Sequence, residues 1–279
     1  MASPAVAATL PLAGPRLRLA GLASTLTLLA ISAVGIAAFL YPFLLSHVEQ
    51  GDEAVARAGD APLLFAGVLS LALLLFLLEL TREGMNAKTV SVLAVVMVAA
   101  AALRVPTLPA GASAFYFLVI VAGYVLGPRL GFLAGAGALF VSGFIVGGFG
   151  PWLPFQMFAA GWMGMTAGWL GMALQQRLRG RRRIELVALA AFAAAWGFLF
   201  GAIMNLWFWP FVAEGESISW QPGMGLAETL RHYWSFYLVT SAGWDAWRAL
   251  ANVALVLVAG RPTVDLLTRF RDRFQVRFE

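Results

Sequence analysis

The 279-residue chain is too apolar to be an ordinary water-soluble domain. Hydrophobic residues make up 61% of it and charged residues only 12%, whereas soluble domains carry about 25% charged residues. It has no cysteine and only two histidines, which excludes a disulfide framework and argues against a metal site. We predict no cofactor. The net charge of +5 does not indicate nucleic-acid binding, because the basic residues lie in short gaps between apolar runs.

Eight apolar runs are long enough to cross a membrane as helices, which takes about 20 residues each. A secretory signal could also explain the first run, but that run exceeds the roughly 7–15 apolar residues of such a signal, which favours a retained helix. The predicted fold is therefore all-α, a polytopic bundle of about eight transmembrane helices. The predicted spans lie near 19–45, 62–80, 88–104, 112–127, 130–148, 155–175, 185–211 and 235–260.

The distribution of basic residues predicts the orientation of the bundle. With a cytoplasmic N-terminus, 15 of the 19 Lys and Arg residues fall in cytoplasmic segments, as the positive-inside rule requires. The loop 46–61 on the other side is acidic instead. We therefore predict that both termini are cytoplasmic. The cytoplasmic set is Arg16, Arg18, Arg82, Lys88, Arg129, Arg177, Arg179, Arg181, Arg182, Arg183, Arg261, Arg269, Arg271, Arg273 and Arg277.

A change in composition predicts three parts of the chain. Residues 1–84 form a disordered Ala/Pro-rich tail and a plain Leu/Ala-rich helix pair, and residues 85–262 form a six-helix core with internal polar groups. Residues 263–279 form a basic cytoplasmic tail. The extra helix pair and the long loop 212–233 fit either a role in partner assembly or an addition without a specific role.

Glycines recur four residues apart in the core. Small residues at this spacing let membrane helices approach closely. The pattern predicts compact packing and carries no information about a ligand. The glycines are Gly123, Gly127, Gly131 and Gly135, then Gly143 with Gly147, Gly164 with Gly168, and Gly197 with Gly201.

Three core segments together resemble the S components, the substrate-binding subunits, of energy-coupling-factor (ECF) transporters. They are Ala122–Phe132, Gly147–Gly164 and Phe200–Pro210. In the second segment Pro151 and Pro154 interrupt the backbone just before a helix, and such breaks are tolerated in membranes where they face a cavity. The resemblance covers residues 85–262.

The resemblance implies a six-helix subunit in the plasma membrane of a prokaryote that binds a vitamin or related micronutrient at its outer side. Its partners would be a membrane scaffold (T) subunit and two cytoplasmic ATPases, and the subunit would topple to release its cargo. The chain contains no Gly-x-x-x-x-Gly-Lys-Ser/Thr phosphate loop, so we expect partner ATPases to power transport and do not expect an enzyme. The family's Ala-x-x-x-Ala docking pattern is missing between Ser91 and Ala102. Ala94 and Ala101 are the candidate docking residues.

The candidate substrate-binding residues are polar and aromatic side chains near the outer ends of core helices. Asp245, Arg248 and Asn252 share one helix face, and a charge at the centre of a membrane helix costs at least about 2.5 kcal/mol. The two charges are either a buried pair that fixes helix register or a substrate-facing pair, and Asn252 could instead bond a neighbouring helix. The other candidates are Arg104, Trp152, Gln156, Asn205, Trp209 and Trp244, whereas Trp207, Trp234 and Trp247 fit an interface belt.

A pocket with aromatic walls and a few polar groups suits a bulky, partly aromatic cargo. Cobalamin is the first candidate, by resemblance in the Trp-rich segments, and riboflavin, biotin, thiamin or a queuosine precursor are alternatives. The leading alternative function is ion-coupled secondary transport of a small organic solute, although no inverted repeat is visible. A membrane enzyme is disfavoured because prenyl-diphosphate, serine-nucleophile and histidine-pair motifs are missing. A purely structural assembly protein is a further alternative.

The shared helix face gives a first prediction. We expect Arg248→Ala to impair ligand binding more than folding, because Arg248 would face the substrate. Ligand affinity and thermal unfolding of the purified variant measure the two effects separately. Wild-type affinity in a well-folded Arg248→Ala protein would remove Arg248 from the site.

Overall fold

The computed structural model describes residues 15–46, 48, 57–81, 87–106, 112–175, 177–178, 180–211 and 217–274. This part of the chain is almost entirely helical and contains no strand. The short turns Tyr41–Leu44 and Trp209–Phe211 extend α1 and α7, and the π-helical segment Val256–Gly260 joins α9 to α10. The helices are α1 Pro15–Leu40, α2 Ala61–Leu80, α3 Ala87–Ala102, α4 Phe115–Leu126, α5 Pro128–Val146, α6 Leu153–Leu174, α7 Arg182–Phe208, α8 Leu226–Thr240, α9 Ala242–Leu255 and α10 Arg261–Phe274.

Several of the described helical stretches are long and apolar enough to cross a membrane. Five meet this criterion, and α3 and α4 are shorter apolar helices. The fold is therefore an all-α polytopic membrane bundle, which confirms the predicted fold class. The five stretches are Gly21–Leu44, Ala61–Leu80, Pro128–Val146, Arg182–Phe211 and Ala242–Arg273.

The bundle has two chemically different ends. At one end Arg129 donates to the Gly21 carbonyl of α1 (3.1 Å) and Arg271 of α10 donates to the Val125 carbonyl (3.1 Å). The described part of the chain therefore begins and finishes at this end, which we call the basic end. We call the opposite end of the bundle the aromatic end. The connections α1–α2, α3–α4, α5–α6 and α7–α8 lie at this end.

Helix α6 packs against α1, α2, α4, α5 and α7 and forms the centre of the bundle. Its contact with α4 and α5 is backbone to backbone. A Cβ on Gly164 would lie 2.0 Å from the Gly131 carbonyl oxygen, and one on Gly123 would lie 2.1 Å from the Gly164 carbonyl oxygen. The predicted close packing is confirmed at these glycines, since no larger residue fits there.

Two glycines of the same pattern lie at helix ends. Gly127 has a φ of +90° between α4 and α5, and Gly147 has a φ of +65° after α5. An added Cβ would meet nothing within 4 Å at either position. The packing interpretation was wrong for Gly147 and incomplete for Gly127, because glycine serves at both to reach a backbone conformation that other residues adopt only with strain. The backbone of Gly127 does pack closely on α6, since a Cβ on Gly168 would lie 2.4 Å from the Gly127 carbonyl carbon.

Seven of the eight predicted spans match observed helices to within a few residues. The eighth, 235–260, was wrong, because the chain breaks at Ser241 between α8 and α9. The first half of α8, residues 226–233, lies in the segment 212–233 that was predicted as a long loop. It escaped prediction because Glu228, Arg231 and His232 interrupt its apolar pattern, leaving an amphipathic helix in place of an apolar run.

The two predicted tails differ in their outcome. Residues 263–274 belong to α10, an amphipathic helix with Leu267 buried and Arg273 exposed, and a cytoplasmic location of this basic segment stays a prediction. Residues 1–14, predicted to be disordered, lie outside the described residues.

Where α4, α5 and α6 cross, the stability of the protein should be sensitive to any added side-chain volume. Gly164→Ala should destabilise the protein by about 1–3 kcal/mol, the usual cost of overpacking, because its Cβ would meet the backbone of Gly131. Thermal unfolding in detergent measures the loss. Gly67→Ala on α2 is the matched control, since its Cβ would meet nothing within 4 Å. Equal unfolding temperatures for the two variants would contradict the described crossing.

Candidate functional site

An open cavity of about 380 Å³ lies at the aromatic end, bordered by α4, α6, α7 and α9. Six of the nine predicted substrate-binding residues line it: Trp152, Gln156, Asn205, Trp244, Asp245 and Arg248. The remaining lining residues are Tyr116, Phe200, Gly201, Met204, Trp207 and Ser241. The cavity thus brings together side chains from four helices that are far apart in sequence.

An ion pair between Asp245 and Arg248 forms part of the cavity wall. Their side chains are 2% and 15% exposed, and Arg248 Nη1 donates to the Asp245 carboxylate and to the Gly197 carbonyl oxygen. The guanidinium carbon also lies 5.4 Å from the Tyr116 ring centroid and 5.7 Å from that of Phe200. The pair therefore links α9 to α7 and also borders the cavity. Its predicted contact with a substrate stays a prediction.

Gly201 provides the space that Asp245 occupies. A Cβ at Gly201 would lie 2.0 Å from Asp245 Oδ2, and a Cβ at Gly197 would lie 2.4 Å from the Cα of Ala249. The two glycines let α9 approach α7 and leave room for a carboxylate between the helices. Spacing alone identified these glycines as packing residues and gave no indication of the carboxylate.

The uncharged polar groups of the cavity are held by neighbouring side chains. Arg104 donates to Gln156 Oε1 (3.0 Å) and to Ser142 Oγ (2.8 Å). Asn205 Nδ2 donates to Ser241 Oγ (2.7 Å), which ties α7 to the break between α8 and α9. Arg104 therefore does not line the cavity but orients Gln156, which does.

Trp209 and Asn252 do not line the cavity. Trp209 is 1% exposed, packs beside Tyr233 and Phe236, and donates its Nε1–H to the Ile218 carbonyl (2.8 Å). Trp209 lies one helical turn beyond Asn205, since its backbone N–H donates to the Asn205 carbonyl, but its ring packs on α8 and does not reach the cavity.

Asn252 lies two turns beyond Asp245, about 10 Å further towards the basic end. It is 1% exposed, and neither of its amide atoms has a hydrogen-bond partner within the described part of the chain. One interpretation of Asn252 was a hydrogen bond to a neighbouring helix. Within the described residues this bond is not observed.

Trp207 lines the cavity although the sequence did not indicate this. It was interpreted as an interface residue, which was wrong, because it is only 5% exposed and stacks on Phe155 with centroids 5.9 Å apart. Trp234 and Trp247 are 54% and 41% exposed, as interface positions require.

Four further residues line the cavity but were not predicted from the sequence: Tyr116, Phe200, Met204 and Ser241. Helical spacing from Asp245 could have indicated Ser241, four residues earlier, whereas Tyr116 sits in an apolar run without any local signal.

The two predicted docking residues on α3 differ in accessibility. Ala94 is exposed, but Ala101 is completely buried inside the chain. Ala101 cannot contact a partner in this structure, so that prediction was wrong. Ala94 shares its exposed face with Val98 and Ala102, four and eight residues further along the helix.

A larger cavity of about 810 Å³ lies between α1, α6 and α7, closer to the basic end. Its walls are mainly apolar, and its two arginines are already engaged. Arg129 pairs with Glu79 (3.5 Å), and Arg271 donates to Gln175 (3.0 Å). The smaller cavity is the better candidate site because a few convergent polar groups within an aromatic wall are typical of ligand pockets.

The six-helix core matches a known protein family. A family model described as "ECF transporter, substrate-specific component" matches residues 88–260. Searches of curated proteins and of solved structures returned no match. Because the family match covers well over half of the 279 residues, the chain belongs to the substrate-specific components of ECF transporters.

Proposed function

We propose that this subunit captures a vitamin or related micronutrient in the cavity at its aromatic end and delivers it to partner subunits for ATP-driven uptake. The observation that carries the proposal is the convergence of an ion pair, two amides and aromatic walls in one cavity inside a membrane bundle. Polar groups inside a membrane protein usually mark a ligand pathway. Arg248 Nε is buried without a hydrogen-bond partner in the described residues, which leaves a donor near the cavity.

Charge supports an aromatic end that faces outward. The basic end includes Arg129, Arg182, Arg261 and Arg271 beside the connections of the core helices. By the positive-inside rule this end is cytoplasmic. The cavity then opens to the outside, the side from which an importer must take its cargo.

The cavity volume favours a single heterocyclic compound over a corrinoid. About 380 Å³ is near the lower end of the ~300–1,000 Å³ typical of small-molecule pockets, which suits thiamin, biotin, riboflavin or a queuosine precursor better than cobalamin. Trp152, Trp207 and Trp244 offer surfaces for stacking on a ring system. Because Asp245 and Arg248 neutralise each other, we propose a cargo without a large net charge.

The partners follow from the family. An ECF substrate-specific component works with a T subunit and ATPases, and this sequence contains no phosphate-binding loop. We propose that the exposed α3 face of Ala94, Val98 and Ala102 contacts the T subunit, in place of the family's Ala-x-x-x-Ala pattern. The pairing of Asp245 with Arg248 disfavours ion-coupled transport, because neutralising Asp245 would leave Arg248 buried without its counter-charge.

Transport assays distinguish these two mechanisms. In liposomes, the chain alone should not accumulate labelled vitamin under a proton or sodium gradient. Co-reconstitution with its T subunit and ATPases should give uptake that requires ATP hydrolysis. Gradient-driven accumulation by the lone chain would instead establish secondary transport.

Gly201 provides a binding test that alters no charge. Gly201→Ala should weaken ligand binding by about tenfold or more, because its Cβ would displace the Asp245 carboxylate. The measurement is equilibrium binding of thiamin, biotin, riboflavin and cobalamin to detergent-purified protein. Gly243→Ala is the matched control, since it also lies near the cavity but its Cβ would meet nothing within 4 Å. Equal affinities of both variants for a vitamin that binds the wild type would place the site elsewhere.

A further inference from the structure

Arg57 of the α1–α2 connection is buried among aromatic rings at the aromatic end. Its side chain is fully buried, and its guanidinium carbon lies 4.2 Å from the Phe155 ring centroid, 4.9 Å from that of Tyr41 and 5.7 Å from that of Phe211. Cation–π contacts of this kind are strongest when they are desolvated. The N-terminal helix pair thus inserts a cation between itself and the first turn of α6.

Hydrogen bonds fix the position of this guanidinium. Arg57 Nε and Nη2 donate to Asp60 Oδ2 (3.1 and 3.0 Å), and Nη2 also donates to the Ala38 carbonyl oxygen. The Tyr41 hydroxyl donates to the same carboxylate oxygen (2.5 Å). Arg57 has a φ of +60°, a conformation that costs energy in residues other than glycine. The surrounding contacts therefore hold Arg57 in one defined place.

Phe155 connects Arg57 to the cavity. The Phe155 ring is completely buried, with the guanidinium 4.2 Å from its centroid and the Trp207 ring 5.9 Å away at an interplanar angle of 28°. Trp207 lines the cavity. A shift of the Phe155 ring would therefore move an aromatic wall of the proposed binding site, since packed interiors transmit displacements.

We propose that Arg57 is a positioning residue for the substrate cavity, so that the N-terminal helix pair is part of the substrate-binding unit and not a separate membrane anchor. Arg57 acts through Phe155 on Trp207 and does not touch the cargo. This inference rests on the proposed function for the identity of the ligand, but the mechanical link from Arg57 to the cavity exists independently of it.

Phe43 offers a matched control within the same helix pair. Its ring packs on Trp209 (5.8 Å) and Trp220 (5.4 Å), neither of which lines the cavity. Phe43→Leu therefore weakens the attachment of the helix pair to the core without changing the contacts of Phe155. A purely structural role of the pair predicts similar effects of Phe43→Leu and of Arg57 variants on binding.

Binding affinity per folded molecule separates these alternatives. Arg57→Met should weaken vitamin binding by about fivefold to twentyfold, Arg57→Lys should restore part of it by keeping the cation, and Phe43→Leu should match the wild type. If Arg57→Met does not fold, Asp60→Asn tests the same link by loosening the guanidinium. Wild-type affinity in a folded Arg57→Met or Asp60→Asn protein, or an equal loss in Phe43→Leu, would overturn the proposal.

A second measurement needs no ligand. The chain has no cysteine, so Met204→Cys places a single thiol in the cavity wall, and its rate of maleimide labelling reports on cavity geometry. Arg57→Met should change this rate several-fold, and Phe43→Leu should leave it unchanged. Unchanged labelling in both backgrounds would overturn the link from Arg57 to the cavity. If the wild type binds no vitamin but labelling still responds to Arg57, the proposed cargo fails while the mechanical link stands.

Discussion

The ion pair between Asp245 and Arg248 is the constraint on which the site depends. Charges inside a membrane bundle are costly unless they are paired and hydrogen-bonded. Here the carboxylate fits only because Gly201 has no side chain, and the guanidinium is held by the Gly197 carbonyl oxygen and by aromatic faces. A balanced pair at the wall of a cavity supplies polar groups there without leaving an isolated charge in the membrane.

The first seven helices could be predicted from the sequence because a membrane span needs a long apolar run, and each of those runs ends at charge, proline or glycine. Helix α8 could not be predicted in this way. Its charged residues leave no such run, and its buried face forms by packing on Trp209, Trp220 and the end of α7. The roles of Gly127 and Gly147 were also hidden, because spacing does not distinguish a glycine that packs from one that ends a helix.

The site was predictable where polar residues are rare and partly hidden where aromatic residues are common. Polar residues stand out in these apolar helices, and four of the six polar candidates line the cavity, whereas Arg104 and Asn252 do not. The four are Gln156, Asn205, Asp245 and Arg248. Trp207 and Trp209 are near neighbours in sequence, yet only Trp207 faces the cavity. Their different surroundings come from tertiary contacts with α1 and α8, which no local pattern encodes.

The central claim is that the cavity binds a micronutrient. Its most direct test is mass spectrometry of the small molecules that co-purify with the chain. The account predicts that gently purified protein retains one heterocyclic compound in equimolar amount. Competition by the same pure compound should release it. Protein that retains only phospholipid, and that binds no vitamin after stripping, would contradict the account.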